Sequence, residues 1–394
     1  MARVVVAMSG GIDSLAAALL LLRDGYEVVG ITMDTGCLAS QVIADVKQQA
    51  AALGIQHHVL DLRAEFDQAV LAPFATAYAA GRTPNPCVVC NSRIKFGLLL
   101  AQGLARGGAD RFATGHYVRL GTADDVGYPE RLCLRRALDL SKDQSYALYA
   151  LSQQQLRQVL FPLGGLRKSE VRQLVAQSGI RVPPAAESQD LCFAGLGGYR
   201  EFVRARWPEG FQTGPVLDAA GRRIGTHSGI ANYTVGQRRG LGISSDSPLY
   251  VLEIRPETQA VVVGPGDLAK RAGLVAQDCV WQAIPGLGDA ERRAQVQIRY
   301  AARAVEARLR PDPGGEQATQ VLFDRPQRAV TPGQATVFYD GDTVLGGGTI
   351  AREQPETGQR HEPSDCVHPG TEAGKSQADP TTARLGQTWP HCNF

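Results

Sequence analysis

A short turn between two apolar runs is the feature that most constrains how this chain can fold. The turn is Ser9-Gly10-Gly11-Ile12-Asp13-Ser14. The run before it, Arg3 to Met8, is rich in valine and suits a buried strand of a parallel sheet. Apolar side chains then repeat at helical spacing, at Leu15, Ala18, Leu19 and Leu22. The sequence therefore predicts a strand, a glycine turn and a helix N-terminus, where free N–H groups and the helix dipole favour an anion.

The residues of this turn support two interpretations. In the first, the turn binds phosphate. In the second, it is only a strand-to-helix loop, in which Asp13 and Ser14 cap the helix. The turn lacks the Gly-x-x-x-x-Gly-Lys-Ser/Thr pattern and the Gly-x-Gly-x-x-Gly pattern, so neither common nucleotide motif describes it.

Composition limits the class of protein. A chain of 394 residues that is 44% hydrophobic can form two or three domains with their own cores. No apolar run reaches membrane-spanning length and Met1 to Arg3 leads directly into a strand, so we expect a cytoplasmic protein. Eight cysteines are too few for a disulfide scaffold and indicate chemistry or metal binding instead. With a net charge of +2, a nucleic acid would have to be bound by local basic patches.

The first half of the chain alternates predicted strands and helices. Strands are predicted at Glu27–Met33, Gln56–Leu60 and Asp110–Thr114, and helices at Gln41–Leu53 and Arg93–Leu104. This βαβ pattern predicts an α/β fold, with a parallel sheet and helices on both faces. Ligands of such sheets bind beyond the carboxyl ends of the strands. The segments expected there are Ser9–Gly11, Met33–Asp34 and Thr114–His116.

After about residue 200 the pattern changes to short strands separated by glycine, proline and asparagine. Leu249–Ile254 and Thr258–Gly264 read as a hairpin, and further strands predict a small antiparallel barrel. We therefore expect a catalytic α/β domain at 1–200, a small central β-rich domain at 201–268 and a barrel at 269–352. Residues 353–394 show no periodicity and are predicted to be a disordered tail.

A second motif carries two cysteines, in Thr83-Pro84-Asn85-Pro86-Cys87-Val88-Val89-Cys90-Asn91. The helix predicted after it places Cys90 close to a helix N-terminus, with Arg93 and Lys95 nearby. Such surroundings favour a thiolate and so a nucleophile. A third cysteine, Cys192, follows in a polar, loop-like segment. The pair could instead be half of a zinc site, although no second half stands at a suitable spacing.

These motifs, with several others, resemble those of one enzyme family, in order and in approximate spacing from residue 1 to about 350. The series is Ser9 to Ser14, Thr83 to Asn91, Ala113 to Tyr117, Lys142 to Tyr146, Ser188 to Phe193, Gly236 to Gly242, Gln297 to Tyr300, Pro332 to Gln334 and Gly346 to Gly348. It resembles the bacterial tRNA-specific 2-thiouridylases of the ATP pyrophosphatase (PP-loop) group. The fold expected from this resemblance is a nucleotide hydrolase-like domain, then a small β domain and an antiparallel β-barrel.

The resemblance implies ATP-dependent thiolation of the wobble uridine of tRNA at C2. ATP, with Mg²⁺, would adenylate O2 of the uridine, and AMP and pyrophosphate would be released. Cys192 would receive sulfur as a persulfide, Cys90 would be the paired nucleophile, and a transient disulfide would join them. The implied ATP-binding residues are Ala7, Met8, Ser9, Gly10, Gly11, Ile12, Asp13, Ser14, Met33 and Gly115.

The resemblance also implies the residues that recognise the substrate. Asn85, Pro86 and Cys87 would contact the target base. The implied tRNA contacts are His116, Lys142, Asp143, Gln144, Arg299, Tyr300 and Gln334. Lysine and arginine suit phosphates, while amides, aromatic rings and histidine suit an unstacked base, although each position could be an ordinary surface residue. Arg299 is favoured by the basic residues around it, which are Arg292, Arg293, Arg303, Arg308 and Arg310.

The sequence leaves several alternatives open. Cys87 stands where some members of the family have aspartate, so Cys87, Cys90 and Cys192 could together hold an iron–sulfur cluster. A different adenylating ligase of the same loop group, and an RNA-binding protein without activity, are the other function classes. The expected partners are tRNA, a persulfide-donating sulfur carrier protein or cysteine desulfurase, and a cellular reductant. We expect a monomer in which Cys192 moves between donor and substrate.

Overall fold

The computed structural model describes residues 2–37, 39–183, 191–193, 198–315 and 317–352. Residues 188–190 of the third cysteine motif lie outside the described residues, as does the predicted tail at 353–394. Within the described residues, no helix is long and apolar enough to cross a membrane.

The helices and strands follow one another along the whole described chain. In chain order the strands are β1 (Arg3–Ala7), β2 (Glu27–Asp34), β3 (Gln56–Asp61), β4 (Arg111–Ala113), β5 (Arg119–Ala123), β6 (Tyr128–Arg135), β7 (Val159–Leu160), β8 (Gly214–Leu217), β9 (Arg223–His227), β10 (Leu249–Arg255), β11 (Ala260–Pro265), β12 (Lys270–Trp281), β13 (Arg292–Gln297), β14 (Val305–Pro311), β15 (Thr319–Arg328), β16 (Ala335–Asp340) and β17 (Thr343–Ile350). The α-helices are α1 (Ile12–Arg23), α2 (Ser40–Leu53), α3 (Arg63–Phe66), α4 (Ala72–Ala79), α5 (Pro86–Val89), α6 (Leu100–Gly107), α7 (Gln153–Gln158), α8 (Lys168–Ser178) and α9 (Gly198–Arg206). The π-helical segments Asp67–Leu71 and Cys90–Leu99 join α3 to α4 and α5 to α6.

The N-terminal part is built on a parallel sheet with the strand order β3-β2-β1-β4-β7. Val4, Val5 and Val6 of the central strand β1 have no exposed surface, because the sheet is covered on both faces. β1 pairs in parallel with β2 and with β4, so their carboxyl ends meet at one edge. The predicted α/β fold is confirmed, and the phosphate turn lies at this edge.

The helix predicted to begin near Ser92 begins earlier, at Pro86. Asn85 caps it, since its Oδ1 accepts from Val88 N at 3.4 Å, and Pro86 suits the first helical position because it needs no N–H partner there. The helical backbone then continues through the π-helical segment to Gly107. Cys90 therefore lies one turn inside the helix and not at its start.

The central part is a four-stranded sheet with the order β10-β11-β8-β9. The predicted hairpin around residue 256 is present, as β10 and β11 pair antiparallel. β11 pairs in parallel with β8, so the sheet is mixed. The fold prediction of a small central β domain is confirmed.

The C-terminal part is a closed antiparallel barrel, as the sequence predicted. Its strands follow the order β12-β15-β14-β13-β16-β17, and pairing of β12 with β17 closes it. Val296, Leu309 and Val321 fill its interior without exposed surface. The sequence did not predict that the β5–β6 hairpin joins this sheet, through the pairing of Arg135 with Thr343. The barrel is thus connected directly to the N-terminal part.

Candidate functional site

The predicted phosphate turn lies between β1 and α1 at the carboxyl edge of the parallel sheet. Gly10 has a φ of +81°, and a Cβ there would lie 3.2 Å from Val46, so glycine suits this position on both counts. The Ser14 hydroxyl accepts from Ser9 N at 3.1 Å and donates to Gly11 O at 3.0 Å. Gly11 precedes α1 and has no side chain with which to cap it. The N–H groups of the first turn of α1 therefore remain available to an anion.

A second segment, after the end of β4, closes against this turn. A Cβ on Gly115 would lie 2.6 Å from Asp13 C and 2.8 Å from Ser14 N, so only glycine allows this approach. On the other side of the turn, the Gln49 amide donates to Gly10 O at 3.1 Å. Gly115 was predicted to complete the nucleotide pocket, and it does lie against the start of α1. Its contact with ATP remains a prediction.

The Asp13 carboxylate does not cap α1, and this expectation from the sequence was wrong. Instead, Lys168 Nζ donates to both carboxylate oxygens, at 2.6 and 2.8 Å, and the Tyr117 hydroxyl donates to Oδ1 at 2.8 Å. Lys168 is only 8% exposed and comes from the first position of α8. Burial and the Asp13 charge raise the pKa of Tyr117, which therefore stays a hydrogen-bond donor.

The structure divides the other predicted nucleotide residues into two groups. Met8 is buried in the apolar core beside α1, and its N–H donates to Ile31 O at 2.8 Å, so its side chain faces no ligand. Ala7 and Met33 are half-buried at the ends of β1 and β2, on the edge where the turn lies. Ile12 packs its side chain against the core beneath α1. Contact of Ala7 and Met33 with a nucleotide base remains a prediction.

Burial has the largest effect on the Cys90 thiol, and it disfavours the reactive thiolate. Cys90 is 8% exposed and packs in the main apolar core. Burial raises the pKa of the Cys90 thiol, and the positive charge of Lys95 only partly opposes this shift. The expected thiolate at a helix N-terminus is therefore wrong for this conformation, because α5 begins a turn earlier and the thiol lies inside the protein.

Cys192 comes from a distant part of the sequence, and its segment packs near the core that contains Cys90. Its neighbour Phe193 packs against Phe74 and Phe202, with ring centroids 5.1 and 4.9 Å apart, which anchors the segment. The Cys192 side chain reaches solvent, yet the protein around it restricts hydration and raises its pKa to about 12. The charges of Cys90, Cys37 and Cys87 contribute to the same shift, and both Cys37 and Phe193 pack against the apolar core that contains Cys90.

Cys37 was not singled out by the sequence reasoning. It follows β2 at the carboxyl edge of the sheet and packs against the core that holds Cys90. The Cys37 charge also acts on the pKa of Cys90. Its only signal in the sequence was its position three residues after a strand end, which many loop cysteines share.

Thiols are the usual ligands of iron–sulfur clusters and of structural zinc. Cys37, Cys87, Cys90 and Cys192 are free thiols. Among the described residues, no group of three or more histidine, cysteine, aspartate or glutamate side chains is arranged to hold a metal ion. The described residues therefore offer no such set of ligands for a single metal ion, and an iron–sulfur cluster on Cys87, Cys90 and Cys192 stays an untested alternative.

The proline-framed turn before α5 is held by the barrel. The Gln334 amide donates to Thr83 O at 2.9 Å and to Pro84 O at 3.4 Å. Thr83 N in turn donates to Pro332 O at 2.9 Å. Gln334 was implied to contact tRNA, and the structure uses its amide to fix the turn that carries Asn85 and Cys87.

Several predicted substrate-binding residues converge around this turn. Asn85 interacts with the Tyr146 hydroxyl, and Tyr300 stacks edge-on against Tyr146 with centroids 6.1 Å apart. Tyr300 is 56% exposed, and the charges of Asp143, Lys142 and Cys87 all act on its pKa. Segments far apart in the sequence thus meet here and place an exposed aromatic ring beside the predicted base pocket.

Other predicted tRNA contacts have their polar atoms engaged within the protein. The Asp143 carboxylate accepts from Arg136 at 3.1 Å and from the Ser145 hydroxyl at 2.8 Å. The Gln144 side-chain oxygen accepts from Tyr117 N at 3.0 Å. The side chains of these two residues are therefore held by hydrogen bonds within the protein.

His116 lies between the nucleotide turn and the cysteines. Its ring packs on Phe96 at a centroid distance of 5.6 Å, and Nδ1 lies 2.7 Å from the Thr114 hydroxyl. Burial, with a smaller effect of Lys95, holds the pKa of His116 well below its usual range. The imidazole is therefore neutral, and Lys95 is the cation shared by His116 and Cys90.

The basic neighbourhood of Arg299 is largely neutralised in the structure. Arg292 pairs with Asp340 at 3.1 Å, and Arg293 with Asp324 at 2.6 Å. Arg308 and Arg310 both pair with Glu291. The expected concentration of positive charge was wrong in this respect, because the carboxylates come from neighbouring strands and a loop. Arg299 itself is exposed.

Three family profiles match successive parts of the chain. Residues 2–196 match the tRNA methyl transferase HUP domain, and residues 200–265 match the tRNA methyl transferase PRC-barrel domain. Residues 271–350 match the aminomethyltransferase beta-barrel domain. The matches coincide with the parallel sheet, the mixed sheet and the closed barrel.

The chain is similar along most of its length to proteins named tRNA-specific 2-thiouridylase MnmA. That of Symbiobacterium thermophilum is 44% identical over 365 residues, which cover 89% of this chain and 92% of the relative. That of Heliobacterium modesticaldum is 45% identical over 361 residues, with coverage of 89% and 92%. A solved structure, described as a predicted subunit of tRNA methyltransferase from Methanocaldococcus jannaschii, aligns with 20% identity and a TM-score of 0.30 over 53% of this chain and 88% of that one, which is too weak to inform function.

Proposed function

This chain belongs to the family of tRNA-specific 2-thiouridylases, transferases that thiolate uridine in tRNA, and we propose that it adenylates the wobble uridine with ATP and then transfers a persulfide sulfur to C2. One observation carries the proposal. Gly115 lies against Asp13 and Ser14 of the phosphate turn, and the next residue, His116, packs its ring on Phe96 of the segment Cys90–Leu99, which begins with the predicted nucleophile. This continuity of packing supports a single site for anion binding and thiol chemistry.

The first step uses the phosphate turn. The N–H groups at the start of α1 would bind the β- and γ-phosphates, and the uridine O2 would attack the α-phosphate, so that pyrophosphate leaves. The product is an O2-adenylate, in which a poorly leaving oxygen has become part of AMP. Mg²⁺ would be held mainly by the phosphates, because Lys168 and Tyr117 occupy the Asp13 carboxylate.

The second step uses the cysteines. A donor protein would convert Cys192 to a persulfide, whose terminal sulfur attacks C2 and expels AMP. Cys90 would then attack the Cys192 sulfur, which releases the thiolated uridine and leaves a Cys90–Cys192 disulfide. A cellular reductant supplies the two electrons that reopen it. The free thiols of Cys90 and Cys192, whose segments share the main apolar core, support this order of events.

The resting thiols are protected by their raised pKa values. Since burial keeps Cys90 and Cys192 protonated, they resist oxidation until substrate and donor change their surroundings. Bound tRNA would exclude water and bring Cys192 to the adenylated base. The movement of Cys192 therefore remains part of the proposal.

The proposal is tested by incubating the protein with ATP, a persulfide donor, a reductant and unmodified tRNA, followed by nucleoside mass spectrometry. We expect 2-thiouridine from the unchanged protein and none from Cys90→Ser or Cys192→Ser. Cys133→Ala is the matched control, because Cys133 is a buried thiol that packs against the barrel core. An adenylating ligase without thiol chemistry would retain its activity in both serine variants, and that result would refute the proposal.

A further inference from the structure

The glycine-rich segment Gly236 to Gly242 has no role in the site described above, although its sequence includes two consecutive arginines. In the structure it forms one wall of a cleft of about 440 Å³, whose other wall is α9. We call this the arginine cleft. Its polar lining includes Arg200, Arg204, Ser228, Asn232, Gln237 and Arg239.

The arginines of the cleft contact neutral groups: Arg200 donates to Asn232 O at 3.3 Å, and the Arg204 guanidinium lies 4.5 Å from the centroid of the Phe211 ring. Among the described residues, no carboxylate forms an ion pair with Arg200, Arg204 or Arg239. This contrasts with the barrel, where carboxylates neutralise four of the arginines around Arg299. Arg200 and Arg204 are also four residues apart on α9, and like charges at that spacing destabilise a helix. An anion bound in the cleft would relieve this repulsion.

Both walls of the cleft are held firmly. In α9, Val203 has no exposed surface, and Arg206 pairs with Asp67 of the N-terminal part. In the opposite wall, Gly236 N donates to Val251 O at 2.8 Å and Val251 N donates to Gln237 O at 2.9 Å. The guanidinium groups are therefore carried by backbone segments whose positions are set before any ligand binds, which favours binding.

The chemistry of the lining favours a phosphodiester backbone over a protein partner. Ser228, Asn232 and Gln237 offer uncharged hydrogen-bond groups among the guanidiniums. Protein interfaces are usually anchored by exposed aromatic or aliphatic side chains. The large exposed apolar side chains of the described residues are Leu98, Leu138, Leu140, Ile224, Leu268 and Tyr300, and none of them lines the cleft, whose one aromatic residue, Tyr233, is only 6% exposed.

We propose that the arginine cleft binds backbone phosphates of the tRNA away from the target uridine. This inference rests on the proposed function, since it takes tRNA as the substrate. It assigns the Gly236–Gly242 segment to substrate binding. Specificity for the uridine would remain with the catalytic site, because phosphate contacts position a nucleic acid without reading its sequence.

The test measures the affinity for fluorescently labelled, unmodified tRNA by anisotropy at several KCl concentrations. For Arg204→Gln/Arg239→Gln we expect binding about tenfold weaker near physiological salt, and a slope of log Kd against log[KCl] that is smaller by about 2. The matched control is Arg222→Gln, which removes an exposed arginine of the same part that already pairs with Asp218. The control should bind like the unchanged protein.

Additional variants and measurements distinguish phosphate binding in the cleft from a folding defect and from the binding of another partner. The variant with both positions changed to lysine should recover most of the salt slope, since each ammonium still neutralises a phosphate. If the double glutamine variant melts like the unchanged protein and keeps its affinity and slope, the inference is wrong. It is also wrong if only thiolation by a protein donor falls while thiolation with inorganic polysulfide, which transfers sulfane sulfur to Cys192 without a protein donor, is unchanged, because the cleft then binds the donor. If the unchanged protein binds tRNA but makes no 2-thiouridine, the proposed function fails separately.

Discussion

At the scale of single residues, the contact between Asp13 and Lys168 gives the phosphate turn its charge balance. A carboxylate at the start of α1 would repel a triphosphate, and the Lys168 ammonium at 2.6 Å offsets that charge. Lys168 lies 155 positions away in the sequence, so its part in the site depends on the packing of α8 against α1. Local patterns could not predict this pair, whereas the glycine turn was evident from its spacing.

We predict that Lys168→Met weakens nucleotide binding. Loss of a charge-assisted contact of this kind costs about 1.5–3 kcal/mol, which corresponds to a Kd for ATP that is about 10- to 100-fold higher. The measurement is titration with a fluorescent ATP analogue, with Lys47→Met on the exposed surface of α2 as the control. An unchanged Kd in a variant that melts normally would show that Lys168 serves stability alone.

The pKa of the Cys192 thiol predicts how its reactivity depends on pH. Because the folded-state pKa is raised to about 12, the thiolate fraction increases about tenfold for each pH unit up to that value. Alkylation of Cys192 by iodoacetamide, followed by peptide mass spectrometry, should therefore accelerate from pH 7 to pH 10 without a plateau, while free cysteine levels off above its pKa of about 8.5. A plateau near pH 7 would mean that the resting thiol is already activated.

At the scale of elements, the N-terminal parallel sheet could be predicted because each strand and helix carries its own apolar period. The strand predicted at Gln56–Leu60 and the helix predicted at Gln41–Leu53 differ from the structure by one residue. The β5–β6 hairpin could not be predicted in this way. Its place depends on pairing Arg135 with Thr343, more than two hundred residues away.

The close packing of the β4 end on α1 leads to a prediction for Gly115→Ala. Its Cβ would lie 2.6–2.8 Å from backbone atoms of Asp13 and Ser14, so the two segments must separate. We expect a lower melting temperature and a large loss of ATP binding. Gly165→Ala is the control, because no atom lies within 4 Å of a Cβ there. Equal effects of the two substitutions on ATP binding would contradict this role for Gly115.

At the scale of the whole molecule, the barrel completes the catalytic part. Gln334 and Pro332 hold the turn that leads to Asn85 and Cys87, and Tyr300 extends over the same region. The charges around Arg299 were misjudged from sequence because a count of arginines does not include the carboxylates that other strands supply. Which charges remain free is a property of the assembled fold.

The substitution Gln334→Ala tests whether the barrel fixes the turn that precedes α5. Since the lost hydrogen bonds fix the turn and not the phosphate site, we expect a slower rate of thiolation, about tenfold, with an unchanged Kd for ATP. Gln295→Ala, on an exposed pair with Glu306 in the barrel, is the control. A parallel loss of ATP binding would show that the substitution disturbs the whole catalytic part.

The proposed mechanism requires that Cys192 carries the sulfur and that Cys90 forms a disulfide with it during turnover. The most direct measurement is a single turnover with persulfide-loaded protein, ATP and tRNA without reductant, followed by non-reducing peptide mass spectrometry. We predict one 2-thiouridine for each new disulfide between the peptides of Cys90 and Cys192. Formation of 2-thiouridine with both thiols still free, or by the Cys192→Ser protein, would show that Cys192 and Cys90 do not act in this way.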